Sequence, residues 1–223
     1  MSKKDVLVLE DLLGTNKQVA AEIREKLGSR GILGVNLLSS PGSGKTTLLE
    51  GLAERLRDRY RIAVIEGDIE TERDAERIRA MGIAAWQITT GGACHLEARM
   101  VGRVLADVPA DVDMLFIENV GNLVCPASFD LGEKLRCVLL SAPEGDDKPA
   151  KYPKAFLTAD VLILSKTDLI PYLPFNPEKA AAEALSINPR LKVFRVSALR
   201  GEGMDGLASF FAGALDSMRA GRA

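Results

Sequence analysis

The sequence predicts an α/β fold, a mostly parallel sheet with helices on both faces, and three observations lead there. Short apolar runs of strand length alternate with segments whose apolar residues recur at helical spacing. The runs have few polar interruptions, as expected of strands covered on both faces. Polar motifs recur at the C-terminal ends of those runs, where open parallel sheets gather their ligands.

A chain of 223 residues suits one domain of this kind and can bury a substantial core. Residues 1 to 15 read as a short, loosely ordered lead in which Val6 to Leu9 is apolar enough to pack, and residues 16 to 223 as a single domain. Asn16 is expected to cap a first helix, with Val19, Ala20, Ile23 and Leu27 on one face and Gly28 and Gly31 ending it. Ile32 to Leu38 is the first strand. It leads into Ser39-Ser40-Pro41-Gly42-Ser43-Gly44-Lys45-Thr46-Thr47 and a helix with Leu48, Leu49, Leu52 and Leu56 on its buried side.

Arg61 to Ile65 is the next strand, ending in Glu66-Gly67-Asp68, and Thr71 is the expected cap of a charged helix to Met81. Ile83 to Thr89 is a strand that runs into Thr90-Gly91-Gly92, after which Ala93-Cys94-His95-Leu96 is expected to open a helix. Asp113 to Glu118 is a strand with a carboxylate at its tip, and Leu135 to Leu140 follows as another. The polar stretch Ala142 to Pro149 reads as a surface loop. Val161 to Leu164 is a strand leading to Ser165-Lys166-Thr167-Asp168, Pro177 to Leu185 is helical, Leu191 to Val196 is the last strand, and Met204 to Met218 closes the chain as a helix.

The turn after the first strand is a phosphate cradle. Gly42 and Gly44 let the backbone curl so that successive N–H groups face inward around Ser43, and the helix opening at Lys45 adds its positive end. Lys45 would reach the β- and γ-phosphates, Thr46 would ligate Mg²⁺, and Thr47 completes the cradle. Ser39 stands at the first position of the GxxxxGK[ST] pattern, outside the part that makes the anion nest.

Ser165-Lys166-Thr167-Asp168 resembles the NKxD or TKxD element that reads guanine in GTPases. The Asp168 carboxylate would accept from guanine N1–H and the 2-amino group, which adenine lacks, and Lys166 would lie along the base. Ser165 stands where Asn is customary, so the usual bridge from this position to the phosphate loop is left open. Ser197-Ala198 resembles the element whose backbone N–H meets guanine O6. Glu118-Asn119-Val120-Gly121 occupies the place of DxxG, with Gly121 set to offer its N–H to the γ-phosphate. Asp68 and Glu118 would hold Mg²⁺ directly or through water, and with Lys45 they form the expected catalytic set. No residue stands out as a general base.

Net charge is −2 with both signs interleaved, so no basic stripe asks for nucleic acid or a membrane surface. No apolar run approaches the roughly 20 residues of a membrane span, and the N-terminus has no apolar leader, which together predict a cytoplasmic protein. Three cysteines are too few and too odd for a disulfide framework. Cys94, Cys125 and the single histidine, His95, are ligand types that suit Zn²⁺ or Ni²⁺, although buried thiols and a surface histidine satisfy the same spacing equally well. Cys137, inside an apolar strand, reads as core.

Four stretches, Ser39 to Thr47, Gly91 to Leu96, Glu118 to Pro126 and Phe129 to Glu133, resemble the HypB family, the GTPases of [NiFe]-hydrogenase maturation, and the resemblance runs in order from about residue 16 to the end. It implies a SIMIBI-class P-loop GTPase that binds GTP and GDP with Mg²⁺, forms a nucleotide- or metal-dependent homodimer, and helps deliver nickel. It further implies Cys94, His95 and Cys125 as Ni²⁺ or Zn²⁺ ligands, and hydrogenase maturation proteins and the hydrogenase large-subunit precursor as partners. The Cys-rich N-terminal motif and His-rich segment of some members are not found in the sequence, so a high-affinity N-terminal nickel site and a nickel store are not expected. Cys125 lies seven residues after Glu118, so loss of the γ-phosphate would move a metal ligand, and three ligands per chain make a metal shared across a two-fold axis plausible. Rival readings are a P-loop GTPase that loads another metal cofactor, of urease or cobalamin type, and a nucleotide-gated module with structural zinc.

Overall fold

The computed structural model describes residues 3–70 and 72–221, with side chains from residue 12 onward. Seven strands, β1 (Leu33–Ser39), β2 (Ile62–Asp68), β3 (Ala84–Thr89), β4 (Met114–Glu118), β5 (Leu135–Ser141), β6 (Val161–Ser165) and β7 (Lys192–Arg195), form one sheet in the order β3-β2-β4-β1-β5-β6-β7. Every neighbouring pair is parallel. The helices are α1 (Lys3–Arg30), α2 (Lys45–Leu56), α3 (Arg73–Ala80), α4 (Ala98–Val104), the short α5 (Lys148–Lys151) and α6 (Pro153–Leu157), α7 (Pro177–Ile187) and α8 (Met204–Ala220). None of the described helices is long and apolar enough to cross a membrane.

Strand alternation sorts the apolar side chains onto two faces. Val35, Leu37, Val64, Phe116, Leu139 and Ile163 pack beneath α2, α3 and α8, where Phe116 meets Phe211 edge-on at 5.4 Å. The opposite face is covered in two parts. Ala63, Ile65, Leu115 and Ile117 meet α1 and α4, while Val138, Leu140, Leu162 and Leu164 meet α6 and α7. Burial of each such Leu, Ile or Phe contributes about 1.5–3 kcal/mol, which holds the strand register that sets the site. The same alternation continues past the apolar runs. Glu66 follows Val64 and Glu118 follows Phe116 on the face that carries α2, so both carboxylates point toward the start of that helix.

Three expectations need correction. The first helix begins at Lys3, not at Asn16: residues 3–15, expected as loose chain, continue α1 through Gly14. Lys3 to Leu13 is rich in helix formers, so one glycine, unfavourable by about 1 kcal/mol, does not break the helix. Asn16 is therefore inside α1, and its buried amide reaches out of it, donating to Asp130 O at 2.8 Å and accepting from Ala98 N at 2.8 Å. Ala93 to Leu96 does not open a helix; α4 starts at Ala98, because the Leu96 N–H is held by the Asn119 side chain at 3.2 Å. The stretch expected as a surface loop, Ala142 to Pro149, forms a 3₁₀ turn at Ala142–Glu144 and then α5. Thr71, the expected helix cap, lies outside the described residues.

Candidate nucleotide and metal site

β1 ends at Ser39 and α2 begins at Lys45, and the five residues between turn through left-handed Gly42 and Gly44, at φ 71° and 91°. Lys45 is buried, with Nζ 3.0 Å from Ser39 Oγ and 3.7 Å from a Glu118 carboxylate oxygen. Thr46 Oγ1 donates to that same oxygen at 3.3 Å. The loop is braced from outside by three residues. Ser165 Oγ donates to Ser43 O at 2.9 Å, so this serine makes the bridge its position asks for. Lys166 Nζ donates to Gly42 O at 2.6 Å. Ser43 Oγ lies 2.7 Å from Glu144 Oε1, which also accepts from Ser141 N at 2.9 Å.

On the phosphate side, a cleft of about 480 Å³ is lined by Lys45, Thr46, Thr47, Asp68, Glu118 and Gly121 among others, which brings together the expected phosphate and Mg²⁺ residues. It also holds Glu66, which the sequence reading passed over. Glu66 and Glu118 are register partners on β2 and β4, both buried, and Glu66 Oε1 and Glu118 Oε2 have no hydrogen-bond partner. Burial, and then the neighbouring Glu118, pushes the Glu66 carboxyl up to about 10. Burial likewise raises Glu118, against the opposing pull of Lys45. Orphaned carboxylate oxygens beside a threonine hydroxyl are a hard, anionic donor set, and they fit Mg²⁺. Asp68, half-buried at the end of β2, accepts from Glu70 N at 2.9 Å.

A second cavity, about 290 Å³, adjoins the loop on the other side and is lined by Gly44, Thr47, Lys166, Asp168, Leu169 and Ala198 together with Ser43, Leu48, Ser165 and Leu199. Lys166 has a left-handed backbone, φ 55°, unusual for a residue with a side chain, and its ammonium crosses to Gly42. Ser197 Oγ donates to Asp168 Oδ1 at 2.6 Å and so orients that carboxylate. The Ser197 N–H is already engaged by Glu202 O at 2.9 Å. Within the Ser197-Ala198 pair it is Ala198 that lines the cavity.

The ligand atoms of Cys94, His95 and Cys125 lie within 4.8 Å of one another. Cys94 and His95 come from the segment between β3 and α4, and Cys125 from the loop after β4; the sheet order β3-β2-β4 sets these two strands one strand apart, and the two segments meet beyond their C-terminal ends. His95 stacks on Phe129 with ring centroids 3.9 Å apart, and its buried Nε2 has no hydrogen-bond partner. Asn122 holds the two loops together, donating to Cys94 O at 3.4 Å and accepting from Val124 N at 2.8 Å. Burial keeps His95 below its usual range, hence neutral with a lone pair, while the hydrogen bond with Cys94 raises the Cys125 thiol. Two sulfurs and an imidazole suit Ni²⁺ or Zn²⁺, and three ligands leave room for a fourth. Cys137 is fully buried in β5, as expected of a core residue.

Residues 34–195 match the family described as CobW/HypB/UreG, nucleotide-binding domain. The chain is 52% identical over 207 residues to hydrogenase maturation factor HypB of Rhizobium leguminosarum bv. viciae, across 92% of this chain and 69% of that protein. It is 44% identical over 215 residues to the hydrogenase/urease maturation factor HypB of Helicobacter pylori strain 26695, across 94% and 88%. Among solved structures, HypB from Helicobacter pylori in complex with nickel superimposes with a TM-score of 0.86 at 42% identity, over 91% of this chain and 96% of that one. The signal recognition particle 54 kDa protein of Aeropyrum pernix in complex with GDP, at 15% identity and a TM-score of 0.56 over 84% and 48%, shares the fold alone.

Proposed function

The chain belongs to the HypB family, and from that premise we propose that it is a GTP-hydrolysing metallochaperone that delivers nickel during hydrogenase maturation, with nickel affinity set by nucleotide state and dimerisation. One observation carries the reading. The segment that leaves the phosphate cleft at Glu118 reaches the thiol of Cys125 seven residues later, and Gly121 within it lies against the phosphate loop at Pro41.

In this reading the amides of residues 42–46 and the Lys45 ammonium hold the β- and γ-phosphates, and Asp168 with the Ala198 N–H selects guanine. Thr46, Asp68 and Glu118 would hold Mg²⁺, which supplies positive charge to the phosphate oxygens. Lys45 neutralises charge that develops as the γ-phosphate leaves, and its burial keeps that interaction strong. When the γ-phosphate is gone, Gly121 loses a partner, the 119–125 segment relaxes, and Cys125 moves relative to Cys94 and His95. Nickel is the cargo, held by Cys94, His95 and Cys125 and completed by a fourth ligand from a second copy or from the acceptor.

The test is titration of the purified protein with Ni²⁺ in the presence of Mg²⁺ and either GDP or a non-hydrolysable GTP analogue, with mass in solution followed alongside. The reading expects unequal nickel affinities in the two states, a doubled mass in one of them, and loss of nickel binding in Cys94→Ala and Cys125→Ala. Transfer is then assayed to a nickel-free hydrogenase large-subunit precursor and to nickel-free urease. Nickel affinity that ignores both nucleotide and cysteines overturns the nickel role, and metal that stays on the protein in both transfer assays marks a structural site.

A further inference from the structure

Asn119 has no exposed surface, and each of its polar side-chain atoms is engaged by a different part of the molecule. Oδ1 accepts from Val120 N at 3.0 Å, in the segment that faces the phosphate loop, and from Leu96 N at 3.2 Å, the residue after His95. Nδ2 donates to Asn36 Oδ1 on β1 at 3.3 Å, and the backbone N–H donates to Leu37 O at 3.1 Å. An asparagine that merely closed a turn would bond within its own segment. This one joins a strand to two loops.

The connection continues beyond Asn36. Asn36 Nδ2 donates to Glu133 Oε1 at 3.2 Å, Arg136 pairs with that oxygen at 2.6 Å, and Arg136 Nη2 donates to Phe129 O at 2.9 Å. Phe129 is the residue stacked on His95. His95 is thus held from both sides by one buried polar chain, through Leu96 and through Phe129. The Leu96 side chain packs against β2 from the face that carries α1 and α4, where a Cβ placed on Gly67, one residue before Asp68, would fall 2.8 Å from it.

We propose that Asn119 is the positioning residue that couples nucleotide state to nickel affinity, by forcing the Leu96 and Val120 amides to move together. This rests on the function proposed above and names the part that transmits it. One oxygen accepts from both N–H groups in a buried site, so Val120 cannot shift alone without leaving a buried donor unpaired, which folded proteins avoid. A displacement of the 119–125 segment therefore moves both banks of the ligand set, Cys125 directly and His95 through Leu96. A structural glue would set how tightly nickel binds in every state; a coupler sets the ratio between states.

The experiment measures nickel affinity with GDP·Mg²⁺ and with GTP analogue·Mg²⁺ in the wild-type chain and in Asn119→Ala. Couplings of this kind usually amount to roughly 5- to 150-fold between states. The expected result is such a ratio in the wild type and a ratio within about twofold of one in Asn119→Ala, with nickel still bound. A folded Asn119→Ala protein that keeps the wild-type ratio overturns the assignment of Asn119 and leaves the metallochaperone reading standing. A wild-type ratio of one overturns that reading, and this inference with it. If Asn119→Ala does not fold, amide hydrogen exchange on the wild type decides. Exchange of GDP for GTP analogue must change protection at Leu96 and Val120 together, and a change at Val120 alone overturns the proposal.

Discussion

Glu66 and Glu118 face each other across β2 and β4 as register partners, both buried, each with one oxygen that no donor reaches. Lys45 is the cation beside the pair, 3.7 Å from Glu118, and one positive charge does not balance two carboxylates. Without Mg²⁺ the pair therefore keeps a proton, and Glu66, pushed up to about 10, is where it sits. The unfolded chain gives up that proton near pH 4.3. Between those values the folded state holds a proton that the unfolded state has lost, so stability falls as pH rises.

The expected outcome is a free energy of unfolding, in EDTA and without nucleotide, that declines between about pH 6.5 and 8 by at most about 1.4 kcal/mol per pH unit. Glu66→Gln keeps the shape without the ionisation, so its decline should be distinctly shallower. Urea titrations across that range measure both slopes. Equal slopes would show that Glu66 ionises normally.

Asp168 is oriented by the Ser197 hydroxyl at 2.6 Å, beside the cavity that holds Lys166 and Ala198. Asp168→Asn turns one acceptor oxygen into a donor, which opposes guanine N1–H and the 2-amino group but complements the 2-oxo group of xanthine. Loss of one charge-assisted bond is worth about 1.5–3 kcal/mol, so GTP affinity should fall on the order of 10- to 150-fold and xanthosine triphosphate should become the preferred ligand. Competition of the two nucleotides for a fluorescent analogue reads this out. Unchanged preference would place the base elsewhere.

Asn16 supplies the acceptor for the first N–H of α4 and a donor to Asp130 O, both from inside α1. Asn16→Ala leaves these buried partners unsatisfied, at a cost of about 1–3 kcal/mol. Chemical denaturation should show that loss. A change below about 0.5 kcal/mol, the size of an ordinary surface substitution, would mean that water replaces the amide.

These cases divide what the sequence makes legible from what it hides. The strands of the central sheet are readable because parallel strands are apolar on both faces. The phosphate loop and the stretch from Ser165 to Asp168 are readable because their chemistry is local. Glu66 is hidden because the apolar run stops at Ile65, whereas pairing with β3 continues to Asp68. Glu144 is hidden because its polar neighbours read as solvated loop, and its partner Ser43 lies 101 residues away. Asn16 has the right chemistry for a cap, but the helix whose N–H it satisfies begins 82 residues later. The meeting of Cys94, His95 and Cys125 is a fact of strand order, which spacing does not encode and only the likeness to a family suggests.

Gly121 tests the link between phosphate loop and metal segment by space alone. Its φ is not in the left-handed range, so alanine would suffer no backbone strain, but the added Cβ would lie 2.9 Å from Pro41 Cα and 3.0 Å from Pro41 N. Those are backbone atoms of the phosphate loop and cannot swing aside. Gly121→Ala must therefore push the 119–125 segment away from the γ-phosphate. GTP-analogue affinity should fall by about 10- to 150-fold, the worth of one bond to a charged group, and GDP affinity should change far less. Gly206, on α8, is the control, because a Cβ there meets nothing within 4 Å and alanine should stabilise the helix by about 0.5–1 kcal/mol. Nucleotide titrations of both variants separate the effects: a Gly121→Ala protein that discriminates GTP analogue from GDP as Gly206→Ala does would detach this segment from the γ-phosphate.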